Sequence, residues 1–197
     1  MTLPNKYLTR PEGAIGSYNW TDIASGLGYV TFYLASSVNG VTTSRHLSNI
    51  PFYGEPNSKA LTASSGSPAN NIDYDTTPFN LPAVIGGVVV FDMSGYATSG
   101  GVSNWYCDAY LYHIKKDGTS TQLAFFDTEE SSSGNQYFTK SSQATIATTK
   151  LKRGDYLRLR ISLSFDSTAG YLYTDPTLEI TTALGTSMLH IPFRIDI

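Results

Sequence analysis

The fold is decided by residues 150–165, which read KLKRGDYLRLRISLSF. A basic Gly-Asp turn opens onto a segment in which every second residue from Leu157 onward is apolar. Because successive side chains of a β-strand point to opposite faces, the apolar residues share one face and the polar residues share the other. The polar set is Tyr156, Arg158, Arg160, Ser162 and Ser164. The pattern predicts an antiparallel strand with one face on a core and the other on water or a partner.

Two further segments carry strong strand patterns. Residues 187–197, SMLHIPFRIDI, alternate in the same way, and Pro192 falls in the polar-facing set. Since proline cannot donate a ladder hydrogen bond, this strand is predicted to lie at an edge or to carry a bulge. The apolar run 83–93 predicts a strand buried on both faces, and its Gly86-Gly87 pair predicts a bulge or a close backbone approach.

Length and composition favour one β-rich domain. The chain has 197 residues, 15% of them charged and 13% aromatic, with 14 tyrosines, a composition that suits pleated sheets better than helices. No segment has a convincing helical period. We therefore predict an all-β fold, specifically a two-sheet antiparallel β-sandwich of the jelly-roll type, over residues 28–197. Residues 1–27, rich in Pro and Gly, are predicted to form an extended arm.

Charge and hydropathy limit the partners. A net charge of -3 provides no general field for phosphate backbones, so we expect no nucleic-acid partner. The sequence contains no signal-peptide core and no apolar run of membrane-spanning length, so we expect no membrane partner and synthesis in a host cytoplasm without a signal peptide. The single cysteine, Cys107, cannot form an internal disulfide and is predicted to be a buried, unreactive thiol.

Catalytic and metal motifs are missing from the sequence. His46, His113 and His190 are far apart and form no His-x-His or His-Glu-x-x-His pattern, so no metal and no cofactor is expected. No Gly-x-Ser-x-Gly elbow is present to support a serine nucleophile.

Acidic residues leave two alternatives open. Asp73 and Asp75 share one face of a strand or turn, where they could hold calcium or form an ordinary exposed acidic turn. A pair of carboxylates for glycoside cleavage could be assembled from several residues, and sequence selects no pair. These residues are Asp108, Asp127, Glu129, Glu130 and Asp166.

Aromatic and basic side chains also permit more than one function. Trp20, Trp105, Tyr171 and Tyr173 could stack on sugars, although tyrosine-rich outer faces are also typical of subunit contacts, which we favour. Arg158 and Arg160 are better suited to an interface or to ion pairs than to catalysis.

Two family resemblances bear on the fold and function. The pattern LxxGDxLxL from Leu151 to Leu159 resembles the penultimate-strand signature of trimeric jelly rolls of the complement C1q and tumour-necrosis-factor type. Over most of its length the chain also resembles virion proteins of tailed phages and environmental viruses, especially capsid decoration, cement and head-fibre proteins. The segments that carry this resemblance are 1–6 (MTLPNK), 18–24 (YNWTDIA), 78–82 (PFNLP), 110–119 (YLYHIKKDGT), 152–155 (KRGD), 173–176 (YTDP) and 191–197 (IPFRIDI).

The virion resemblance implies a non-enzymatic structural protein that docks on a viral particle and stabilises it. Its partner would be a major capsid protein or another virion protein, it would act as a homo-oligomer, with a trimer favoured, and it would be located in the virion. The expected capsid-attachment residues of the arm are Leu3, Pro4, Tyr7 and Trp20, and the expected subunit-contact residues are Tyr156, Arg158 and Arg160.

Two other functions stay open at this stage. One is a carbohydrate- or receptor-binding module of a phage tail fibre or head fibre, with glycan contacts at Trp105, Tyr171 and Tyr173 and aromatic residues in the predicted loops 94–104 and 128–135. The other is a hydrolase with a sugar cleft, which requires two close carboxylates.

Overall fold

A computed structural model describes residues 27–35, 45–49, 59–63, 71–98, 102–127, 129–133, 136–165, 169–173 and 187–194. All regular structure in these residues is β-strand, which confirms the all-β prediction. The strands are β1 (Leu27–Ala35), β2 (His46–Ser48), β3 (Lys59–Ala63), β4 (Ile72–Asp75), β5 (Ala83–Thr98), β6 (Val102–Ile114), β7 (Ser120–Phe126), β8 (Glu129–Ser133), β9 (Gln136–Leu151), β10 (Tyr156–Phe165), β11 (Ala169–Tyr173) and β12 (Met188–Arg194). Within these ranges no helix is long and apolar enough to span a membrane.

The strands form one continuous hydrogen-bonded sheet, not the two separate sheets that were predicted. The order is β3-β11-β5-β12-β1-β2-β4-β10-β6-β7, with β9 also paired to β5 and β8 also paired to β6. The described pairs are antiparallel except β2 with β4, so the sheet is mixed. The short strand β2 connects the part of the sheet from β3 to β1 with the part from β4 to β7, because it pairs with β1 on one side and with β4 on the other.

Strand β10 has the predicted alternation. Leu157, Leu159 and Ile161 are completely buried, whereas Arg158 and Arg160 are half-buried on the opposite face. The neighbouring strand β6 follows the same rule, since its residues Cys107, Ala109 and Leu111 are also completely buried. Burial at every second position is what a sheet with one core face requires.

The core lies between distant strands of the sheet order. The rings of Phe91 in β5 and Phe126 in β7 are 5.8 Å apart between centroids and tilted by 54°. Both side chains are buried, and they belong to one apolar cluster that also includes residues of β1, β4, β6, β9, β10 and β12. The sheet must therefore curve so that β5 and β7 face each other across a shared interior.

Strand β5 departs from the predicted burial on both faces. From Val88 to Met93 its residues alternate, and Val88 is exposed while Val89 is buried. The Gly86-Gly87 bulge is confirmed, because the pairing of β5 with β9 shifts register between Ile85 and Gly87. A Cβ on Gly86 would lie 2.9 Å from the Thr148 Cα, so only glycine allows this close approach of the two strands.

Pro192 lies in a central strand of the sheet, at a point where the backbone pairing with the neighbouring strand is irregular. Strand β12 pairs with β1 and β5, and the register against β5 shifts between His190 and Phe193. The predicted bulge is therefore present, and the edge position offered as its alternative is not.

Two strands lie in segments that have no clear strand pattern. Strand β8 falls in the predicted polar loop 128–135, and β11 was not predicted. Each pairs with a longer strand, β8 with β6 and β11 with β5, so the partner strand and not the local sequence determines its conformation. Most of the predicted loop 94–104 likewise belongs to β5 and β6.

Candidate functional site

A chain of hydrogen-bonded side chains crosses four neighbouring strands on the outer face of the sheet. The Nδ1 atom of His190 in β12 lies 2.9 Å from the Thr31 Oγ1 in β1. The Nε2 atom of the same ring lies 2.9 Å from the Asp92 Oδ2 in β5. The Ser141 hydroxyl in β9 donates to the other oxygen of Asp92. We call Thr31, His190 and Asp92 the relay, and Ser141 supports it.

Strand register brings the relay together. Thr31 is directly opposite His190, and Asp92 is directly opposite Ser141. Asp92 and His190 are diagonal neighbours, because Asp92 is opposite Met188, two residues before His190. Side chains at opposite and diagonal positions on one face are within reach of each other.

The hydrogen bonds fix the proton of the neutral imidazole. An ionised carboxylate only accepts hydrogen bonds, so the His190 Nε2 must carry the proton that is shared with Asp92. The unprotonated Nδ1 then accepts the proton of the Thr31 hydroxyl. A hydroxyl, an imidazole and a carboxylate are thus aligned so that the imidazole can remove the hydroxyl proton while the carboxylate stabilises the resulting imidazolium.

The relay is accessible from solvent yet partly shielded. The side chains of His190 and Asp92 are 24% and 25% exposed, and Thr31 is also half-buried. A group of this exposure can contact a substrate without losing the fixed geometry that its strands impose.

A second histidine–aspartate pair is closed to substrate. The His113 Nε2 lies 2.8 Å from the Asp155 Oδ2, and their side chains are 6% and 4% exposed. The Asp155 carboxylate also accepts hydrogen bonds from the backbone N–H groups of Lys152 and Lys116, with N–O distances of 2.8 and 3.1 Å. Burial disfavours the charged carboxylate, but the hydrogen bonds from Lys152, His113 and Lys116 outweigh it and lower the pKa of Asp155. This pair joins the β6–β7 turn to the β9–β10 turn and is structural.

The arginines singled out in the sequence form cross-strand ion pairs. Arg158 makes two hydrogen bonds of 2.7 Å to Asp75, and Arg160 makes hydrogen bonds of 2.7 and 2.9 Å to Asp73. The Arg158 Nη1 atom also lies 3.0 Å from the Asp73 Oδ2 atom. The hydrogen bond from Arg160, opposed by burial, lowers the pKa of Asp73. Both carboxylates are thus held by guanidinium groups. The arginines therefore form the ion pairs that were one of their two predicted roles, and the aspartates pair with arginine and not with calcium.

One carboxylate pair from the sequence, Asp108 in the middle of β6 and Asp127 just after β7, lies next to the pairing of Ala109 with Phe126. Burial and then the charge of Asp127 raise the pKa of Asp108. Tyr110 stacks on Phe125 beside them, with ring centroids 4.8 Å apart. Asp108 and Tyr110 are half-buried, and Phe125 and Asp127 are exposed.

The remaining predicted residues fall in three groups. Leu3, Pro4, Tyr7 and Trp20 lie outside the described residues, as does the predicted arm except for Leu27. For Trp105, Tyr171 and Tyr173 the backbone is described, in β6 and β11. Tyr156 is half-buried at the start of β10, with Arg158 5.8 Å from its ring centroid.

Cys107 is completely buried, as the sequence predicted, and burial raises the pKa of its thiol. In the described part of the chain, no group of three or more His, Cys, Asp or Glu side chains is placed to hold a metal ion.

The relay was missed because its members have no common sequence motif. Thr31 and His190 are 159 positions apart, and His190 and Asp92 are 98 apart. The only signal in the sequence was that His190 lies on the polar face of its strand. To predict the relay one must also know that β1, β12 and β5 are neighbours, and the alternation of side chains does not reveal strand order.

Comparisons with known proteins identify the fold and no family. No family model matches the chain. No curated protein matches it significantly. Two structures of a CocE/NonD family hydrolase from Staphylococcus aureus are similar over 85% and 86% of this chain, at 10% identity with TM-scores of 0.57 and 0.58. An aminopeptidase from a marine sediment archaeon, Thaumarchaeota archaeon, is similar over 87% of this chain, at 10% identity with a TM-score of 0.57. The chain spans 37% of the length of each of these proteins.

These comparisons correct the functional prediction. The structural neighbours are hydrolases and an aminopeptidase, which contradicts the prediction of a non-enzymatic virion structural protein, and they give no support to its alternative, a binding module of a phage fibre. The prediction that the chain is not an enzyme is wrong for the same reason. At 10% identity the likeness shows the fold alone. The expected capsid partner, trimer and virion location stay predictions.

Proposed function

We propose that this chain is a hydrolase that cleaves an acyl bond at the relay, with Thr31 as nucleophile, His190 as general base and Asp92 as the group that orients and stabilises His190. The observation that carries the proposal is the placement of one imidazole between a hydroxyl and a carboxylate at 2.9 Å on each side. This is the arrangement that converts a weak hydroxyl nucleophile into a reactive one.

The reaction would proceed in two balanced steps. The Thr31 oxygen attacks the carbonyl carbon of an ester or amide while its proton passes to the His190 Nδ1, and Asp92 stabilises the imidazolium. His190 then gives this proton to the leaving alcohol or amine, which leaves an acyl ester on Thr31. Water, deprotonated by His190, attacks that ester, and the proton returns to Thr31 as the carboxylic acid departs.

A second candidate follows from the partial coverage of the structural neighbours. Because the chain spans 37% of the length of these proteins, it could serve hydrolysis as a domain beside a separate catalytic unit. The relay favours the first candidate, since it gives this chain its own nucleophile and base.

The finer architecture is also proposed. We infer that the strands work as two layers of a jelly-roll sandwich connected through β2. The contact of Phe91 with Phe126 across the core supports this, because β5 and β7 are far apart in the sheet order. The relay then lies on the outer face of the layer that contains β1, β12, β5 and β9.

Hydrolysis of p-nitrophenyl acetate and of alanine p-nitroanilide by the purified chain tests the reaction. We expect turnover of at least one substrate, a loss of about 10²-fold or more in Thr31→Val, and a comparable loss in Asp92→Asn. Thr31→Ser retains a hydroxyl and should retain activity. The control is Thr121→Val, which removes an exposed hydroxyl from β7, a strand without a relay residue. An inactive parent chain, or full activity in Thr31→Val, would overturn the assignment.

A further inference from the structure

We propose that the apolar patch next to the relay, formed by Tyr29 and Val88 over Pro192, binds the acyl group of the substrate and makes the site selective for esters of apolar, medium-chain acids. The inference rests on the proposed hydrolase function and adds the substrate class. We call these three residues the acyl patch.

Register places the acyl patch beside the nucleophile. Tyr29 is opposite Pro192 just as Thr31 is opposite His190, so the patch lies two residues along the same two strands. Residues two apart share a face and are separated by about 7 Å. An acyl chain whose carbonyl carbon meets the Thr31 hydroxyl can therefore reach Tyr29 with about six carbons, given C–C bonds of about 1.5 Å.

The tyrosine is fixed across the central strand. Its hydroxyl donates to the Val88 carbonyl at 3.2 Å, and Val88 belongs to β5, on the far side of β12 from β1. The ring must therefore extend over β12 at Pro192, which is buried. The irregular pairing of β5 with β12 in this region places Gly87 against Pro192, since a Cβ on Gly87 would lie 3.4 Å from the Pro192 ring.

Exposure distinguishes this patch from the remaining face. Tyr29 is 53% exposed and Val88 is 39% exposed, and they are two of the four large apolar residues that are exposed in the described part of the chain. The other two are Leu81 and Phe125. Adjacent exposed apolar side chains beside a polar reaction centre are the arrangement of a ligand site, in which apolar walls bind and a few polar groups orient.

The chemistry predicts the direction of selectivity. Each methylene that moves from water onto the patch should improve kcat/KM by about two- to fourfold, because apolar burial adds to transition-state binding. Between acetate and hexanoate esters, with four added methylenes, the expected preference is at least about tenfold.

The test compares p-nitrophenyl acetate with p-nitrophenyl hexanoate in the full chain. The parent should prefer hexanoate, and Tyr29→Ala and Val88→Thr should each lower the hexanoate-to-acetate ratio of kcat/KM by about threefold or more. Val88→Thr keeps the shape and strand preference of valine, so it provides an answer if Tyr29→Ala fails to fold. Phe125→Ala, an exposed aromatic residue in β7, is the control and should leave the ratio unchanged.

The outcomes separate the two claims. Hydrolysis of both esters with no preference, or a preference that survives in both patch variants, would overturn the acyl patch and leave the relay standing. A parent that hydrolyses neither ester would overturn the acyl patch, and it would also overturn the relay if alanine p-nitroanilide were left intact.

Discussion

His190 shows how much function can depend on the partners of a single side chain. None of the three histidines belongs to a metal motif in the sequence. In the structure, His190 is held by a hydroxyl and a carboxylate on a half-exposed face, whereas His113 is held by Asp155 in the interior. The two imidazoles have similar carboxylate partners. Access and the presence of a hydroxyl separate the proposed catalytic histidine from the structural one.

Asp155 gives stability a predictable dependence on pH. Because its pKa is lowered in the folded chain from the ordinary value of 3.8, the unfolded chain binds more protons in the window between the two values. Its contribution to stability is therefore complete above that window and is lost as pH falls through it. In urea unfolding, Asp155→Asn should lower the free energy of unfolding by about 2 kcal/mol at pH 7 and should show less loss below about pH 4.

The control for this measurement is Asp127→Asn, because Asp127 is exposed at the end of β7. It should keep the acid-dependent loss of stability that comes from Asp155, while the removal of its charge should lower the pKa of Asp108. If Asp155→Asn and the parent lost stability in parallel between pH 5 and pH 2, the lowered pKa of Asp155 would be contradicted.

Strands were predictable in proportion to the clarity of their alternation. The strand at 156–165 matches β10, because every second residue from Leu157 is apolar and one face is buried. Strands β8 and β11 lack such a pattern and are created by pairing with β6 and β5, which depends on residues distant in sequence. The relay could not be predicted from the sequence for the same reason, because it depends on which strands are neighbours in the sheet.

At the Gly86 bulge the backbones of β5 and β9 come unusually close, and a substitution at Gly86 tests this close approach. Gly86→Ala would place a Cβ 2.9 Å from the Thr148 Cα, and relief requires movement of β5 against β9. We expect a loss of about 2 kcal/mol in the free energy of unfolding. Gly118→Ala is the comparison, because its Cβ would meet nothing within 4 Å and its cost of about 1 kcal/mol comes from a φ of +85° alone. A smaller loss in Gly86→Ala than in Gly118→Ala would contradict the close approach.

For the whole molecule, the contact between Phe91 and Phe126 tests how distant strands enclose one core. Each change to alanine should cost about 3–5 kcal/mol, because it empties a buried aromatic site. The double-mutant cycle should give a coupling of about 1 kcal/mol, since the two rings are 5.8 Å apart. The same cycle between Phe91 and Tyr110, which is on the outer face of β6, should give no coupling. Additive losses for Phe91 and Phe126 would contradict the shared core.

The chain shares its fold with part of hydrolases and an aminopeptidase, and the chemistry that we propose for it rests on the relay. The most direct test of this account is mass spectrometry of the chain after incubation with a fluorophosphonate, a probe that reacts with activated hydroxyl nucleophiles. We expect one adduct, on Thr31, which is absent from Thr31→Val and reduced by at least about 10²-fold in rate in His190→Gln. An unmodified chain, or an adduct on another residue that forms equally well in His190→Gln, would contradict it.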